Sequence, residues 1–238
     1  MNEKDYLQNF NKDDRDFLID SILDQYIKLK GRDKTKVSIF IGGGSCSGKS
    51  SFKNTLLKNK DSLNDFLLID SDELKTLIPE YMELISSGIT HSASIVHSES
   101  SDMASKLVIQ AIEKELSFLY DATLKNTEKY ISLFKKLKQA GFTIELVILT
   151  VPLDEAFRRN RSRYEKAKEK GEFPRLVPEV IIIESHQKIK ESFDKLQHLC
   201  DVWSIFDTRE TAPVLVASKN GLDIQIIKEE YYLDFKNI

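Results

Sequence analysis

The sequence predicts an α/β fold, a parallel sheet with helices on both faces, and three observations carry that expectation. Short β-rich runs alternate with stretches of helical spacing from Val37 to Phe206. The run Thr143–Val151 is nearly all apolar or β-branched, as a central strand covered on both sides must be. A glycine-rich segment joins the first run to the helical stretch after it. Strands that alternate with helices join through right-handed crossovers, which lay helices on both faces of a parallel sheet.

The elements follow in order. Residues 1–34 set Phe17, Leu18, Ile22, Leu23, Tyr26, Ile27 and Leu29 at spacings of threes and fours, which reads as an N-terminal helical cover. Val37–Ile41 is a short strand ending in Gly42-Gly43-Gly44, and helical spacing resumes over Ser50–Leu57. Phe66–Ile69 reads as a buried strand with a helix from Glu73. A long helix with Met103, Leu107, Val108, Ala111 and Ile112 on one face leads to a strand at Phe118–Tyr120. The helix from about Glu128 to Ala140 meets Gly141 where a C-terminal cap wants it. Pro152 opens a further helix that Gly171 ends, Pro178 opens another reaching about Leu199, and Val202–Phe206 is a fifth strand. In the tail, Val214–Val216 and Ile224–Ile227 flank Lys219-Asn220-Gly221, and Asn-Gly between apolar runs signals a tight hairpin. The expected organisation is a cover, 1–34, on one domain, 35–238, that carries a lid over 158–178 and a hairpin over 213–228.

Composition narrows the function classes. Thirty-five Lys and Arg against 38 Asp and Glu give a net charge of -3, so no whole-protein field draws the chain to nucleic acid or anionic lipid. The opening MNEKDYLQNFNKDD has no apolar run of a signal peptide, and no later stretch nears the roughly 20 apolar residues that span a bilayer. The expectation is a soluble, cytoplasmic protein with neither nucleic acid nor membrane as partner. Cys46 and Cys200 are too few for a disulfide framework. Of the four histidines, 91 and 97 stand closest to a pair, but six residues fit one helical face poorly, so no zinc site is expected.

Residues 43–50, GGSCSGKS, match G-x-x-x-x-G-K-[ST] directly after the first strand and before a helix. Four of the nine glycines fall between 42 and 48, which lets the backbone turn its N–H groups around phosphate oxygens at the positive end of a helix. The expected nucleotide cradle is Gly43, Gly44, Ser45, Cys46, Ser47, Gly48, Lys49, Ser50 and Ser51. Within it Lys49 bridges the terminal phosphates and the Ser50 hydroxyl serves Mg²⁺, so ATP and Mg²⁺ are the expected cofactors. The expected fold is then a P-loop NTPase, and the loop alone does not identify the reaction, because GTPases, motor ATPases and kinases share it. Switch GTPases usually carry D-x-x-G, and no glycine here has an Asp three residues earlier. The one N-K-x-D match, Asn11–Asp14, precedes the first strand and cannot lie beside a base.

After the second strand comes Ile69-Asp70-Ser71-Asp72-Glu73-Leu74-Lys75, and carboxylates at the C-terminal end of a parallel strand face the ligand crevice. Asp72 reads either as a general base for an attacking hydroxyl or as part of the Mg²⁺ shell. A plainer reading stands beside both, in which Asp70 or Asp72 caps the next helix. Asp121-Ala122-Thr123 sets another carboxylate and hydroxyl at the same sheet edge. Residues 158–175 hold eight Arg or Lys against three acidic residues, which fits a lid bringing cations onto a leaving phosphate. The plainer reading, a solvated helix face, covers Arg158, Arg159, Lys166, Lys168 and Lys170.

From about Val37 to Leu196 the sequence resembles the zeta toxin family, small P-loop kinases of bacterial toxin–antitoxin systems. The likeness rests on the phosphate loop, on Ile69, Asp70, Asp72, Leu74, Lys75, Pro79 and Tyr81 in the order of an I-D-x-D-x-[FL]-[KR] segment with a following Pro and aromatic, and on Asp121-Ala122-Thr123 for [DE]-G-T. It continues through Val151-Pro152, Arg163-Tyr164-Glu165 and Arg175 ahead of Pro178. The resemblance implies a nucleoside-kinase-like P-loop fold, transfer of the ATP γ-phosphate to a hydroxyl of UDP-N-acetylglucosamine or a related nucleotide sugar, and an antitoxin protein as partner. It gives Asp72 the role of general base, Lys49 the phosphates, and Arg163 and Arg175 the transition-state charge. Substrate contacts fall on Lys75, Glu99, Asp121, Thr123 and Lys125. The chain departs from the pattern at Leu74 for Phe, Ala122 for Gly and Lys125 for an Arg, and a Lys cannot reproduce a bidentate Arg fork. Two other readings remain open: a kinase for another small-molecule hydroxyl, such as an antibiotic or nucleoside, and a nucleotide-dependent regulatory binding module.

Overall fold

The computed structural model describes residues 12–28, 35–59, 66–89, 92–171 and 176–238. They form two compact units, a smaller one from the described parts of Met1–Thr35 and Asp65–Phe118 and a larger one from those of Lys36–Asn64 and Leu119–Ile238.

The larger unit is built on a sheet. Its strands are β1 (Val37–Gly43), β3 (Phe118–Asp121, whose first residue ends the smaller unit), β4 (Thr143–Thr150), β5 (Val202–Asp207), β6 (Val214–Asn220) and β7 (Asp223–Ile226). They lie in the order β3-β1-β4-β5-β6-β7. β1 and β4 run parallel from Val37 opposite Thr143 to Gly43 opposite Leu149, and β4 and β5 run parallel from Glu145 opposite Val202 to Thr150 opposite Asp207. Ala122 donates its N–H to Ile41 O at 2.9 Å, which sets the end of β3 beside β1. The C-terminal ends of these strands therefore share one edge, where loops of a parallel sheet build ligand sites. β6 and β7 add an antiparallel hairpin, so the sheet is mostly parallel with an antiparallel margin.

The helices of this unit are α2 (Lys49–Asn59), α7 (Thr127–Gln139), α8 (Leu153–Glu169), α9 (Glu179–Leu196) and α10 (Glu229–Lys236). Local chemistry explains their ends. The Asn126 side chain accepts the Lys129 N–H at 3.2 Å at the start of α7, and Gly141 takes φ 80° after its last turn. Pro152 and Pro178 stand one residue before α8 and α9, where their fixed φ suits the entry. Phe40 on β1 packs at 4.7 Å from Phe134 of α7, centre to centre, with Tyr120 and Tyr130 around it. On the same face of the sheet, where Phe40, Leu146 and Trp203 stand in register, Phe193 of α9 meets Trp203 of β5 at 5.2 Å and Phe235 of α10 at 5.6 Å.

One expectation needs correction here. The hairpin turn is Gly221-Leu222, since Asn220 still pairs with Asp223, and only Gly221, at φ 61°, takes a positive φ. A glycine first and an ordinary residue second is the type II′ pattern, so the loop sits one residue beyond Asn-Gly. α10 is a helix for which the sequence analysis gave no reading: Phe235, 1% exposed, is its buried residue, and Tyr231, Asp234 and Lys236 bond to Glu210, Arg209 and Asp194.

The smaller unit holds α1 (Lys12–Lys28), β2 (Leu67–Asp70), α3 (Ser71–Leu74), a 3₁₀ turn (Lys75–Leu77), α4 (Pro79–Ser86), α5 (Ser92–Ile95) and α6 (His97–Glu113). Within the expected cover, Leu23 and Ile27 of α1 are buried and Phe17 is exposed, while 1–11 and 29–34 lie outside the described residues. Ion pairs from Lys106 to Asp16 and Asp20, and from Lys114 to Asp24, tie α6 to α1. α3 packs on α6, and the Leu67 N–H donates to Ser117 O at 2.9 Å.

Phe193 is fully buried between Trp203 and Phe235. Phe193→Ala is expected to cost about 3–5 kcal/mol, read in urea denaturation as a lower midpoint with an unchanged slope.

Candidate functional site

The larger unit carries a loop that leaves β1 at Gly43 and enters α2 at Lys49. Two of its glycines are required by close approach. A Cβ at Gly44 would lie 2.3–2.5 Å from the His186 ring, and one at Gly43 would lie 2.9 Å from Leu149 O. Gly48 takes φ 83°, and Cys46 takes φ 63°, a left-handed conformation costing a non-glycine residue about 1–2 kcal/mol. Lys49 Nζ reaches back over the loop and donates to Gly43 O at 2.7 Å, with Gly44 O at 3.4 Å. Ser50 and Ser51 are exposed in the first turn of α2. The Ser47 hydroxyl is buried without a hydrogen-bond partner among the described residues.

Side chains from two other helices and one strand end hold this loop. On α9, Ser185 Oγ accepts the Ser45 N–H at 2.8 Å and donates to Ile182 O at 2.7 Å. His186 Nε2 stands 2.9 Å from Ser45 O, and because that oxygen only accepts, Nε2 carries the hydrogen. Burial pushes the His186 pKa below its usual value, the Ser45 bond opposes this, and the positive Lys49 adds to it, so the ring is held neutral. After β5, Thr208 Oγ1 donates to Ser47 O at 2.9 Å. Arg159 of α8 donates from Nη1 to Thr208 Oγ1 at 3.0 Å and to Cys46 O at 3.4 Å, and from Nη2 to Thr208 O.

Arg159 overturns the solvated-face reading given to it from sequence. It is mostly buried and bonds the phosphate loop, while Arg158, one residue and about 100° around the helix away, lies exposed. Both pair with Glu155, through Arg158 Nε at 2.6 Å and Arg159 Nε at 2.7 Å. Hydrogen bonds from Arg158 first, then Arg159, bring the Glu155 carboxyl down to about 2. The one local signal for Arg159 is that carboxylate four residues earlier.

The other predicted residues divide between the units. Beside β1, Asp121 forms an ion pair with Lys53 of α2 at 3.9 Å, and Lys53 is 5% exposed. Thr123 and Lys125 are exposed on the strap after β3. Between them Leu124 takes φ 51° and is fully buried, its carbonyl accepting from Ser192 Oγ of α9 at 2.7 Å. Arg163 is exposed on α8, where it lines an open cavity of about 530 Å³ with Arg158, Arg159, Ser162, Lys166 and Lys170. In the smaller unit, Asp70 is the cap, its Oδ1 accepting the Asp72 N–H at 2.8 Å, and this leaves the Asp72 carboxylate to the Lys75 ammonium at 2.6 Å. Glu99 lies in the first turn of α6. Arg175 and His91 fall outside the described residues. Among the described residues no cluster of three or more His, Cys, Asp and Glu is arranged for a metal, and no helix is long and apolar enough to cross a membrane.

With this geometry in view, the sequence matches the family model described as Zeta toxin over residues 19–219. The chain belongs to the Zeta toxin family. This Zeta toxin family member is 25% identical over 141 residues to toxin PezT of Streptococcus pneumoniae serotype 4, a stretch covering 58% of the chain and 53% of PezT. The chain thus spans about half the length of that curated relative. Among solved structures, one from the characterisation of the PezAT chromosomal toxin–antitoxin system of S. pneumoniae matches with a TM-score of 0.68 at 19% identity over 87% of this chain and 81% of that one. The AvrRxo1-ORF1:-ORF2 structure with ATP matches with a TM-score of 0.65 at 17% identity over 93% and 72% of the two chains. At these identities both speak to the fold.

Arg159→Ala is expected to lower unfolding free energy by about 1.5–3 kcal/mol because it strips a charged donor from buried loop oxygens, while Arg158→Ala changes it by under about 0.5 kcal/mol. Paired urea titrations read the difference.

Proposed function

We propose that this Zeta toxin family protein is an ATP-dependent kinase that transfers the γ-phosphate to a hydroxyl of a small molecule, a nucleotide sugar such as UDP-N-acetylglucosamine. The observation that carries this reading is the phosphate loop: glycines where side chains would collide, the Lys49 ammonium folded over it, and a helix N-terminus behind it. These residues fit a polyphosphate, whose oxygens compete for Lys49 with the weaker carbonyl acceptors Gly43 and Gly44. For Mg²⁺ the exposed Ser50 hydroxyl is the fitting donor, and the ion supplies neutralisation of charge on the transferring phosphoryl group.

On this reading the acceptor hydroxyl gives its proton to Asp72, its oxygen bonds to the γ-phosphorus, and the bond from that phosphorus to the bridging oxygen breaks to release ADP. Lys75, 2.6 Å from the Asp72 carboxylate, orients the base. Lys49, Arg163 and Arg175 balance the charge that spreads over the phosphoryl oxygens. Lys75, Glu99, Asp121, Thr123 and Lys125 serve acceptor binding, where Lys125 in place of an Arg keeps the other small-molecule hydroxyl in play. The related structures named for a toxin–antitoxin system and a two-protein complex support an antitoxin-like protein partner, and cytoplasmic action goes with this reading.

The test is incubation with Mg-ATP and a panel of nucleotide sugars, antibiotics and nucleosides, read by mass spectrometry. ADP is expected only with an acceptor, together with an acceptor heavier by one phosphoryl group. ADP at the same rate whatever is added would point instead to a regulatory nucleotide module. Lys49→Ala is expected to abolish transfer with the fold retained, checked by circular dichroism and turnover. Asp72→Asn is expected to keep ATP affinity within a few-fold and to lower the rate about a hundredfold or more; lost Mg-ATP affinity with normal residual chemistry would make it a metal-shell ligand.

A further inference from the structure

The buried face of α9 is apolar at Ile182, Ile189, Phe193 and Leu196, yet Ser185, His186 and Ser192 lie within it at 5% exposure or less. A buried polar side chain destabilises the fold unless it is bonded. Ser192 Oγ donates to the strap carbonyl of Leu124 and accepts from Thr127 Oγ1 at 2.7 Å. Ser185 and His186, adjacent on the helix, take the two ends of one residue, the N–H and the C=O of Ser45.

That double hold has a geometric consequence. In a planar trans peptide the C=O and the following N–H point in opposite directions. With Ser45 O directed at His186, the Cys46 N–H is turned away from α9. The Ser45 N–H, given to Ser185, is withdrawn from ligand binding. The hold also acts next to Cys46, whose φ of 63° needs an outside constraint to persist, and the approach is so close that only glycine fits at 44.

We propose that Ser185 and His186 are positioning residues for phosphate binding: they fix the Ser45 peptides so that the Cys46 N–H faces the anion, without touching it themselves, while the Ser47 N–H stays within the loop on Gly44 O at 3.2 Å. This rests on the kinase reading, and it assigns part of the nucleotide affinity to a helix about 140 residues downstream of the loop.

The experiment measures Mg-ATP binding by calorimetry without acceptor, and amide hydrogen exchange of the loop without nucleotide. Ser185→Ala and His186→Leu are each expected to weaken Mg-ATP about tenfold, the worth of roughly one hydrogen bond, and to speed exchange across residues 44–48. His186→Gln, which offers a donor at similar reach, is expected to return affinity to within about threefold of the parent. Ser192→Ala removes a buried bond on the same helix away from the loop, so it reports general destabilisation and is expected to leave both readings unchanged. Unchanged affinity and exchange in Ser185→Ala and His186→Leu would overturn the proposal, as would an equal loss in Ser192→Ala or no recovery in His186→Gln. A parent protein that binds no Mg-ATP, while the variants still loosen the loop, would remove the kinase reading and keep the hold on Ser45.

Discussion

A phosphate-binding loop must keep several backbone N–H groups turned inward, so its remaining polar groups need partners from outside the loop. Much of this chain's larger unit is arranged to supply them. Ser45 is held by α9, Cys46 O by Arg159 of α8, and Ser47 O by Thr208 at the end of β5. Those three sources meet because β1, β4 and β5 run parallel and end at one sheet edge. The register of the sheet thus precedes the site: a slip of one residue would reverse every side chain on the strand and dismantle the edge.

Neighbouring arginines show how burial rather than residue type assigns roles. Arg158 and Arg159 both reach Glu155, but only Arg159 lies on the inward side of α8, where its planar fork spans a hydroxyl and two carbonyls. The two carboxylates after β2 divide in the same way. Asp70 is consumed by the helix it caps, and Asp72, two residues later, keeps its carboxylate for Lys75.

What was legible in the sequence was whatever repeats or punctuates locally. The first five strands, the phosphate loop, Gly141 at the end of α7 and the prolines before α8 and α9 are all local signals, and each lies within a residue or two of its reading. The hairpin slipped by one because Asn-Gly and Gly-Leu both satisfy a two-residue turn, and strand pairing chose between them. α10 was not legible because it buries one ring, and its other ties, from Tyr231, Asp234 and Lys236, are polar contacts to residues outside the helix. Arg159, Ser185, His186 and Thr208 were not legible for a different reason. Their partners lie 49 to 161 residues away, and no local pattern distinguishes a buried serine that bonds a distant loop from one that fills space.

The contact between Gly44 and the His186 ring ties two distant positions into a single volume. A side chain larger than hydrogen at the first position is compatible only with a smaller residue at the second. A smaller residue there gives up the imidazole that holds Ser45. The pair is therefore one steric unit, and a chimera whose loop carries a side chain at 44 while its α9 keeps the imidazole at 186 will carry a collision.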